Sequence, residues 1–139
     1  MPFIHIRLAG LSLPPSRIEE LNREVTDLVA AVLGKQHGLT AVLTEPAGSG
    51  ALWTVGGKTP PVAAHLEIII TDGTNAEAEK AAFIDAAAAL LRRVCGPELS
   101  IATYVVTREI KGENWGYDGM TQAARRHAIN DKQFVQATI

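Results

Sequence analysis

The stretch AHLEIIITDGTNAEAEKAAFIDAAAALLRRVCGP, residues 64–97, carries the clearest fold signal in this 139-residue chain. The mostly apolar run over 64–71 is typical of a strand that is buried on at least one face. Thr74 and Glu77 then have the spacing of a helix capping box, and apolar side chains recur at helical period until Gly96. The stretch therefore predicts a buried strand followed by a helix that ends at Gly96.

The first half of the chain has the same order of signals. Apolar and polar residues alternate over 4–8, which is strand period. Ser16 and Glu19 again have capping-box spacing, and the helical pattern that follows ends at Gly34. A second short strand is predicted over 39–44. The first half is thus predicted to be a strand, a helix and a strand.

Matching landmarks in the two halves are separated by a nearly constant number of residues. The pairs are Gly10 and Gly73 at 63, Gly34 and Gly96 at 62, Glu45 and Glu109 at 64, and Trp53 and Trp115 at 62. Four matches in order indicate an internal repeat. With a returning strand over 101–107, we predict a single domain of two tandem β-α-β units, about residues 2–61 and 62–119. A tail over 120–139 follows, with a short helix over 121–130. The predicted fold class is α+β, with a four-stranded mixed sheet and two helices on one face.

Composition excludes several classes of function. The formal net charge is −2 and 47% of the residues are hydrophobic, so the chain has a core to bury and lacks the basic excess of nucleic-acid or membrane-surface binding. Cys95 is its one cysteine, and its four histidines lack metal-ligand spacing. No apolar run is long enough to span a membrane, and the first residues lack a signal-peptide pattern. We therefore expect a cytoplasmic protein without metal or cofactor that binds neither nucleic acid nor membrane.

The run Ile68–Ile70 has a consequence for assembly. Consecutive strand residues point to opposite faces of a sheet, so this run places apolar side chains on both faces. The helices cover one face, and a large exposed apolar face is unusual for a monomer. We therefore predict a closed homo-oligomer whose sheets pack around a symmetry axis.

Pro2 is the residue that points to chemistry, because it follows Met1 directly and precedes a strand. Removal of Met1 would leave Pro2 as a free secondary amine. An apolar pocket lowers the pKa of such an amine by disfavouring its charged form. A neutral amine at pH 7 can take a proton next to a carbonyl group and return it elsewhere. The structural alternative is a proline that only begins a strand.

The doubled unit and the early proline resemble the tautomerase superfamily, whose members use an amino-terminal proline as catalytic base or acid. The resemblance covers about residues 2–119. Thr-Glu at 44–45 followed by Trp-Thr-Val-Gly-Gly at 53–57 is similar to a 4-oxalocrotonate tautomerase (4-OT) subunit. The second half ends similarly, with Arg-Glu at 108–109 and Trp-Gly-Tyr-Asp-Gly at 115–119. Two such units in one chain resemble the longer branches, among them macrophage migration inhibitory factor and 5-carboxymethyl-2-hydroxymuconate isomerase. These are trimers, so the resemblance implies a homotrimer.

The resemblance also suggests which residues surround the proline. Lys35 is similar to the lysine that lines the proline pocket of macrophage migration inhibitory factor, and the alternative is a solvated lysine beyond a helix end. Arg108 lies on the last predicted strand, on the same face as Tyr104, and both are candidates to bind substrate. For Arg108 the pocket in question is that of a neighbouring subunit. The alternative for Arg108 is a salt bridge with Glu109 or Glu45.

Trp115 is the candidate aromatic wall of the pocket, with plain packing as the alternative. The arginines of the predicted helices are interpreted as solvated surface: Arg92, Arg93, Arg125 and Arg126.

The predicted function is a cofactor-independent tautomerase or isomerase. Pro2 would move a proton in a small keto or enol carboxylate, and Lys35 or Arg108 would hold the carboxylate. The alternatives are a decarboxylase, hydratase or dehalogenase of the same superfamily, and a non-catalytic trimer that binds a small ligand or a protein. The dehalogenase and decarboxylase branches have arginines after the third strand. This chain has Thr-Asp-Gly-Thr-Asn at 71–75, which argues against those two chemistries.

Overall fold

Four strands of the chain form one sheet, and the amino-terminal residues lead directly into the first of them. The structure is a computed structural model that describes residues 1–47 and 52–138. The elements are, in chain order, β1 (Phe3–Ala9), α1 (Pro15–Leu33), β2 (Ala41–Pro46), β3 (Ala63–Thr71), α2 (Glu77–Cys95), β4 (Tyr104–Ile110), β5 (Gly116–Tyr117), β6 (Met120–Thr121) and α3 (Gln122–Thr138).

The sheet has the strand order β2-β1-β3-β4. β1 pairs in parallel with β2 and antiparallel with β3, and β3 pairs in parallel with β4. Each parallel pair is joined through a helix, which is the β-α-β unit predicted from the repeat. The predicted four-stranded mixed sheet is thus confirmed. β2 and β4 begin later than predicted, and for β2 the reason is a 3-10 turn over His37–Leu39.

The core lies between one face of the sheet and the helices α1 and α2. Alternate residues of β1 and β3 point toward the helices and are buried. Two of them, Ile4 and Ile68, are fully buried and lie opposite each other across the strand pair. Helix residues spaced four apart close the core from the other side. They include Leu21, Val25 and Val29 of α1 and Phe83, Ala87 and Leu91 of α2. This arrangement confirms two helices on one face and leaves the other face of the sheet open.

The open face of the sheet carries charges as well as apolar side chains. Phe3 is 40% exposed there and lies beside Ile69. Oε1 of Glu45 lies 2.6 Å from Nε2 of His5 and 3.1 Å from Nε of Arg7. The face is therefore less apolar than the three consecutive isoleucines predicted, because only the middle one of them points to this side.

Neither predicted capping box forms. α1 begins at Pro15 without a side-chain cap, so Ser16 does not cap it. Proline is favoured in a first helical turn because its missing N–H would have no partner there. At α2 the backbone N–H of Ala76 donates to the carboxylate of Glu79 (2.7 Å), and Thr74 lies outside the helix. Both helices do end at the predicted glycines, because Gly34 is the C-cap of α1 and Gly96 is the C-cap of α2.

The tail forms a third helix that is longer than the sequence pattern predicted. The β5–β6 hairpin reverses the chain through Asp118 (φ 49°) and Gly119 (φ 76°), a two-residue turn that needs left-handed residues. A Cβ on Gly116 would lie 2.0 Å from a backbone carbonyl oxygen of β6, so this position has no room for a side chain. The hairpin leads into α3, which covers residues 122–138 rather than 121–130. α3 begins near the end of β3 and the amino terminus.

Three properties of the described residues concern the requirements of a membrane-spanning helix, a metal site and a reactive cysteine. None of the helices there is long and apolar enough to cross a membrane. Histidine, cysteine and acidic side chains form no cluster of three or more there that would hold a metal ion. Cys95 is half-buried, and burial raises the pKa of its thiol.

Candidate active site

The amino terminus lies at one end of the sheet, against a cavity. Pro2 is buried, and its carbonyl oxygen accepts a hydrogen bond from the N–H of Ala41 (3.2 Å), which ties the start of β1 to β2. Met1 lines a cavity of about 460 Å³. The other walls are Lys35 after α1, Thr71 at the end of β3, the β5–β6 hairpin and α3. A cavity of this size accommodates a small organic molecule.

The cavity is lined by cations. Lys35 reaches it from the first β-α-β unit, and α3 adds Arg125, Arg126 and Lys132. Within residues 1–47 and 52–138, no aspartate or glutamate lines it. A concave site with charges of one sign focuses the potential and raises the local concentration of oppositely charged ligands. The arrangement therefore favours a small anion.

Lys35 is half-buried and held by a chain of hydrogen bonds. Its Nζ donates to Oγ1 of Thr74 (2.8 Å), and that hydroxyl donates to the carbonyl oxygen of Thr71 (2.6 Å). Burial is the main cause that lowers the pKa of Lys35. The lysine is therefore a fixed charge at the cavity and not a freely solvated one.

The terminal amine lies in the same environment. Met1 is half-buried, and its carbonyl oxygen accepts a hydrogen bond from Nε2 of Gln122 (3.4 Å). Burial, and then the charge of Lys35, hold the pKa of the amine below its ordinary value. With Met1 in place the nitrogen of Pro2 is an amide and has no basicity. After removal of Met1, the amine would be that of Pro2, at this end of the cavity.

Arg125 is the candidate that the sequence analysis missed, and its interpretation as solvated helix surface is wrong. Its guanidinium carbon lies 3.7 Å from the centroid of the Tyr117 ring, and its Nη2 donates to the carbonyl oxygen of Tyr117 (2.8 Å). Its Nε is buried without a hydrogen-bond partner among the described residues, and such a donor costs about 1–3 kcal/mol. One sequence signal points to this face of α3, the helical spacing of Gln122, Arg125, Arg126 and Ile129.

Trp115 lies one layer behind the cavity. Its indole Nε1 donates to Oγ1 of Thr71 (3.2 Å), and Thr71 lines the cavity. The carbonyl oxygen of Trp115 accepts a hydrogen bond from the backbone N–H of Gln122 (2.9 Å). Trp115 therefore links the end of β3 to the start of α3, and the aromatic ring at the cavity itself is that of Tyr117.

Arg108 and Tyr104 lie on the open face of the sheet. Arg108 pairs with Glu67 of β3 (2.8 Å), and not with the glutamates suggested by the sequence, Glu109 and Glu45. The register places Arg108 level with Phe3, at the Pro2 end of the sheet. Tyr104 is 69% exposed and lies about 13 Å further along β4. Neither Arg108 nor Tyr104 is among the described residues that line the cavity of this chain. A substrate-binding role for them therefore requires the cavity of a neighbouring chain.

Comparison with known proteins identifies the fold. No family model matches the sequence, and the search of curated proteins finds no match. Among solved structures, Pt0534 inactivated by 2-oxo-3-pentynoate is 17% identical with a TM-score of 0.77, over 88% of this chain and 98% of that one. A macrophage migration inhibitory factor-like protein from Entamoeba histolytica is 23% identical with a TM-score of 0.69, over 86% and 97%. The symmetric trimer of a wild-type fused 4-OT is 17% identical with a TM-score of 0.73, over 88% and 98%. The chain thus has the same fold as the fused 4-OT and the macrophage migration inhibitory factor-like protein, which is the fold that its sequence predicts.

Proposed function

We propose that this chain is a cofactor-independent tautomerase that acts on a small keto or enol carboxylate, with Pro2 as the catalytic residue once Met1 is removed. The observation that carries the proposal is the position of the amino terminus, at a cavity lined by cations. The comparison with Pt0534 supports it, because the compound that inactivates that protein is by its name a small 2-keto carboxylate. A cytoplasmic location is part of the same proposal.

The proposed proton transfer depends on the pKa of the amine. Burial and the charge of Lys35 lower the pKa of the Met1 amine. We expect the same two causes to act on the Pro2 amine one residue further along, which favours a neutral amine near pH 7. Pro2 then takes the hydroxyl proton of an enol, carries the positive charge, and returns the proton to the neighbouring enol carbon. The products are the ketone and the neutral amine, so no further reactant is needed. Decarboxylation, hydration and dehalogenation are the alternatives with a protonated Pro2, which a lowered amine pKa disfavours.

Other residues have supporting roles in this proposal. Lys35 lies close enough to the amine to affect its pKa, so it is placed to stabilise the negative charge that develops on the enolate oxygen. Trp115 holds Thr71 in the cavity wall through its indole N–H. Arg108 and Tyr104 are proposed to contact substrate only in the cavity of an adjacent chain.

Changing Lys35 to methionine is expected to move the acidic limb of the pH–rate profile to higher pH. The charge of Lys35 lowers the pKa of the Met1 amine, and we expect it to act in the same direction on the Pro2 amine. Its removal then raises that pKa and protonates Pro2 over a wider pH range. The measurement is kcat/KM for ketonisation of phenylenolpyruvate as a function of pH. Lys58→Met, which removes an exposed lysine outside the cavity, is the matched control and should leave the profile unchanged. An unshifted limb in Lys35→Met contradicts the electrostatic role.

We also propose that the chain assembles as a homotrimer. A fused 4-OT with this fold is a symmetric trimer, and the open sheet face of this chain exposes Phe3 and Leu43 beside its ion pairs. Light scattering coupled to size-exclusion chromatography is expected to give a molar mass three times the 14.8 kDa of one chain. Ile69→Lys, on the open face, should weaken this assembly, whereas Ile84→Lys, on an exposed side of α2, should not. A monomer at micromolar concentration contradicts the proposal.

A further inference from the structure

We propose that Arg125, held against the ring of Tyr117, is the residue that binds the carboxylate of the substrate. This inference rests on the proposed function for the identity of the substrate, and on the geometry of α3 for the anion site. It assigns the carboxylate to the tail helix, outside both β-α-β units.

The contacts of Arg125 hold its guanidinium in one orientation. The group stacks 3.7 Å from the Tyr117 ring centroid, and one of its five donors is used by the carbonyl oxygen of Tyr117. In the part of the chain that is described, that carbonyl is its one hydrogen-bond acceptor. A planar group with fixed orientation and unused donors matches the geometry of a carboxylate, which accepts two parallel hydrogen bonds.

The other cations of the cavity fit this role less well. Lys35 already donates to Thr74 and lies beside the amine, where its charge affects proton transfer. Arg126 and Lys132 are exposed, so solvent screens their charges. Arg125 is half-buried and lines the cavity, where an ion pair is screened less.

The chemistry of the neighbouring wall indicates the rest of the ligand. Met120 and Ile129 line the cavity along with Arg125, and both present apolar surface. The ligand class is therefore a small carboxylate with an apolar body. Arg125 takes the charged end, and the apolar body lies along Met120 and Ile129.

The test measures binding of a carboxylate that has no enol and cannot react. The probes are trans-cinnamate and its neutral analogue cinnamamide, and calorimetry gives the Kd of each for the full-length protein. Arg125→Gln is expected to raise the Kd for cinnamate about 10- to 100-fold, because a charge-assisted hydrogen-bonded pair is lost. The Kd for cinnamamide should be unchanged. Arg92→Gln, an exposed arginine of α2 outside the cavity, is the matched control and should bind cinnamate like the wild type.

Tyr117 acts as a positioning residue, because it orients Arg125 through its ring and its backbone. Tyr117→Ala removes the ring and is expected to raise the Kd for cinnamate several-fold more than the Kd for cinnamamide, since both lose a wall contact but only cinnamate loses an oriented Arg125. Tyr117→Phe keeps the ring and the carbonyl oxygen, so it should restore wild-type binding. A phenylalanine variant as weak as the alanine variant contradicts the stacking argument.

Failure of this inference is distinguishable from failure of the proposed function. Pro2→Ala should bind cinnamate like the wild type, because binding requires no proton transfer. Arg125-dependent binding in a protein that does not ketonise enols supports the anion site and overturns the tautomerase. Cinnamate binding that is absent in the wild type, or equal in wild type and Arg125→Gln, overturns the inference whatever the activity.

Discussion

Changing Pro2 to alanine is expected to lower kcat/KM for ketonisation of phenylenolpyruvate or 2-hydroxymuconate by about 100- to 10,000-fold, the usual contribution of a positioned general base. The ring of Pro2 fixes the nitrogen at the start of β1, where the carbonyl of the same residue is already bonded to Ala41. An alanine at this position has a primary amine that rotates freely and loses that placement. The measurement is initial rates at several substrate concentrations, which separate kcat from KM.

The control for this prediction is a proline that lies elsewhere. Pro97→Ala changes an exposed proline after α2, outside the cavity, and should leave the rate unchanged. Intact mass spectrometry on the same samples determines whether Met1 has been removed. A wild-type rate in Pro2→Ala excludes Pro2 as the base. A chain that retains Met1 has an amide at Pro2 and lacks the proposed base. The proposed function is then the alternative one, a non-catalytic trimer that binds a small ligand or a protein.

Changing Phe83 to alanine is expected to lower the free energy of unfolding by about 3–5 kcal/mol. Phe83 is fully buried on the face of α2 that contacts the sheet, in one core with Ile4 and Ile68. Its removal loses the transfer free energy of the ring and leaves a cavity that the surrounding strands cannot close. Ile84→Ala, one residue further along the same helix and 40% exposed, is the matched control and should cost far less.

Urea denaturation monitored by far-ultraviolet circular dichroism measures both variants. Chain concentration is held constant, because an assembly makes apparent stability depend on it. Equal losses in Phe83→Ala and Ile84→Ala would show that the sheet-facing side of α2 is not the principal buried surface. A loss confined to Phe83→Ala agrees with the core described above.

The fold could be predicted from the sequence because its signals are local and occur twice. Apolar alternation over 4–8, the buried run over 64–71 and the helix-ending glycines each depend on backbone preferences within a few residues. Helix starts were harder to predict, since Ser16 and Thr74 have the right spacing but Pro15 and the Ala76–Glu79 contact begin the helices instead.

The candidate site could be predicted only in part. Pro2 and Lys35 lie at the ends of elements whose places follow from the β-α-β repeat, and the structure places Lys35 and Met1, the residue before Pro2, in the wall of the cavity. Arg125 lies outside the repeat, so no repeat landmark located it. Its helix reaches the cavity because a two-residue turn at Asp118 and Gly119 reverses the chain.

The amino-acid sequence by itself determined the two β-α-β units and the early proline, because hydrophobic period and residue chemistry act over short distances along the chain. Only the tertiary structure decided which charges meet at that proline. A cavity is formed by side chains far apart in sequence, and Lys35, Tyr117 and Arg125 come together through the sheet register and the path of the tail. The same long-range packing separates Arg108 from this cavity and pairs it with Glu67 across β3 and β4.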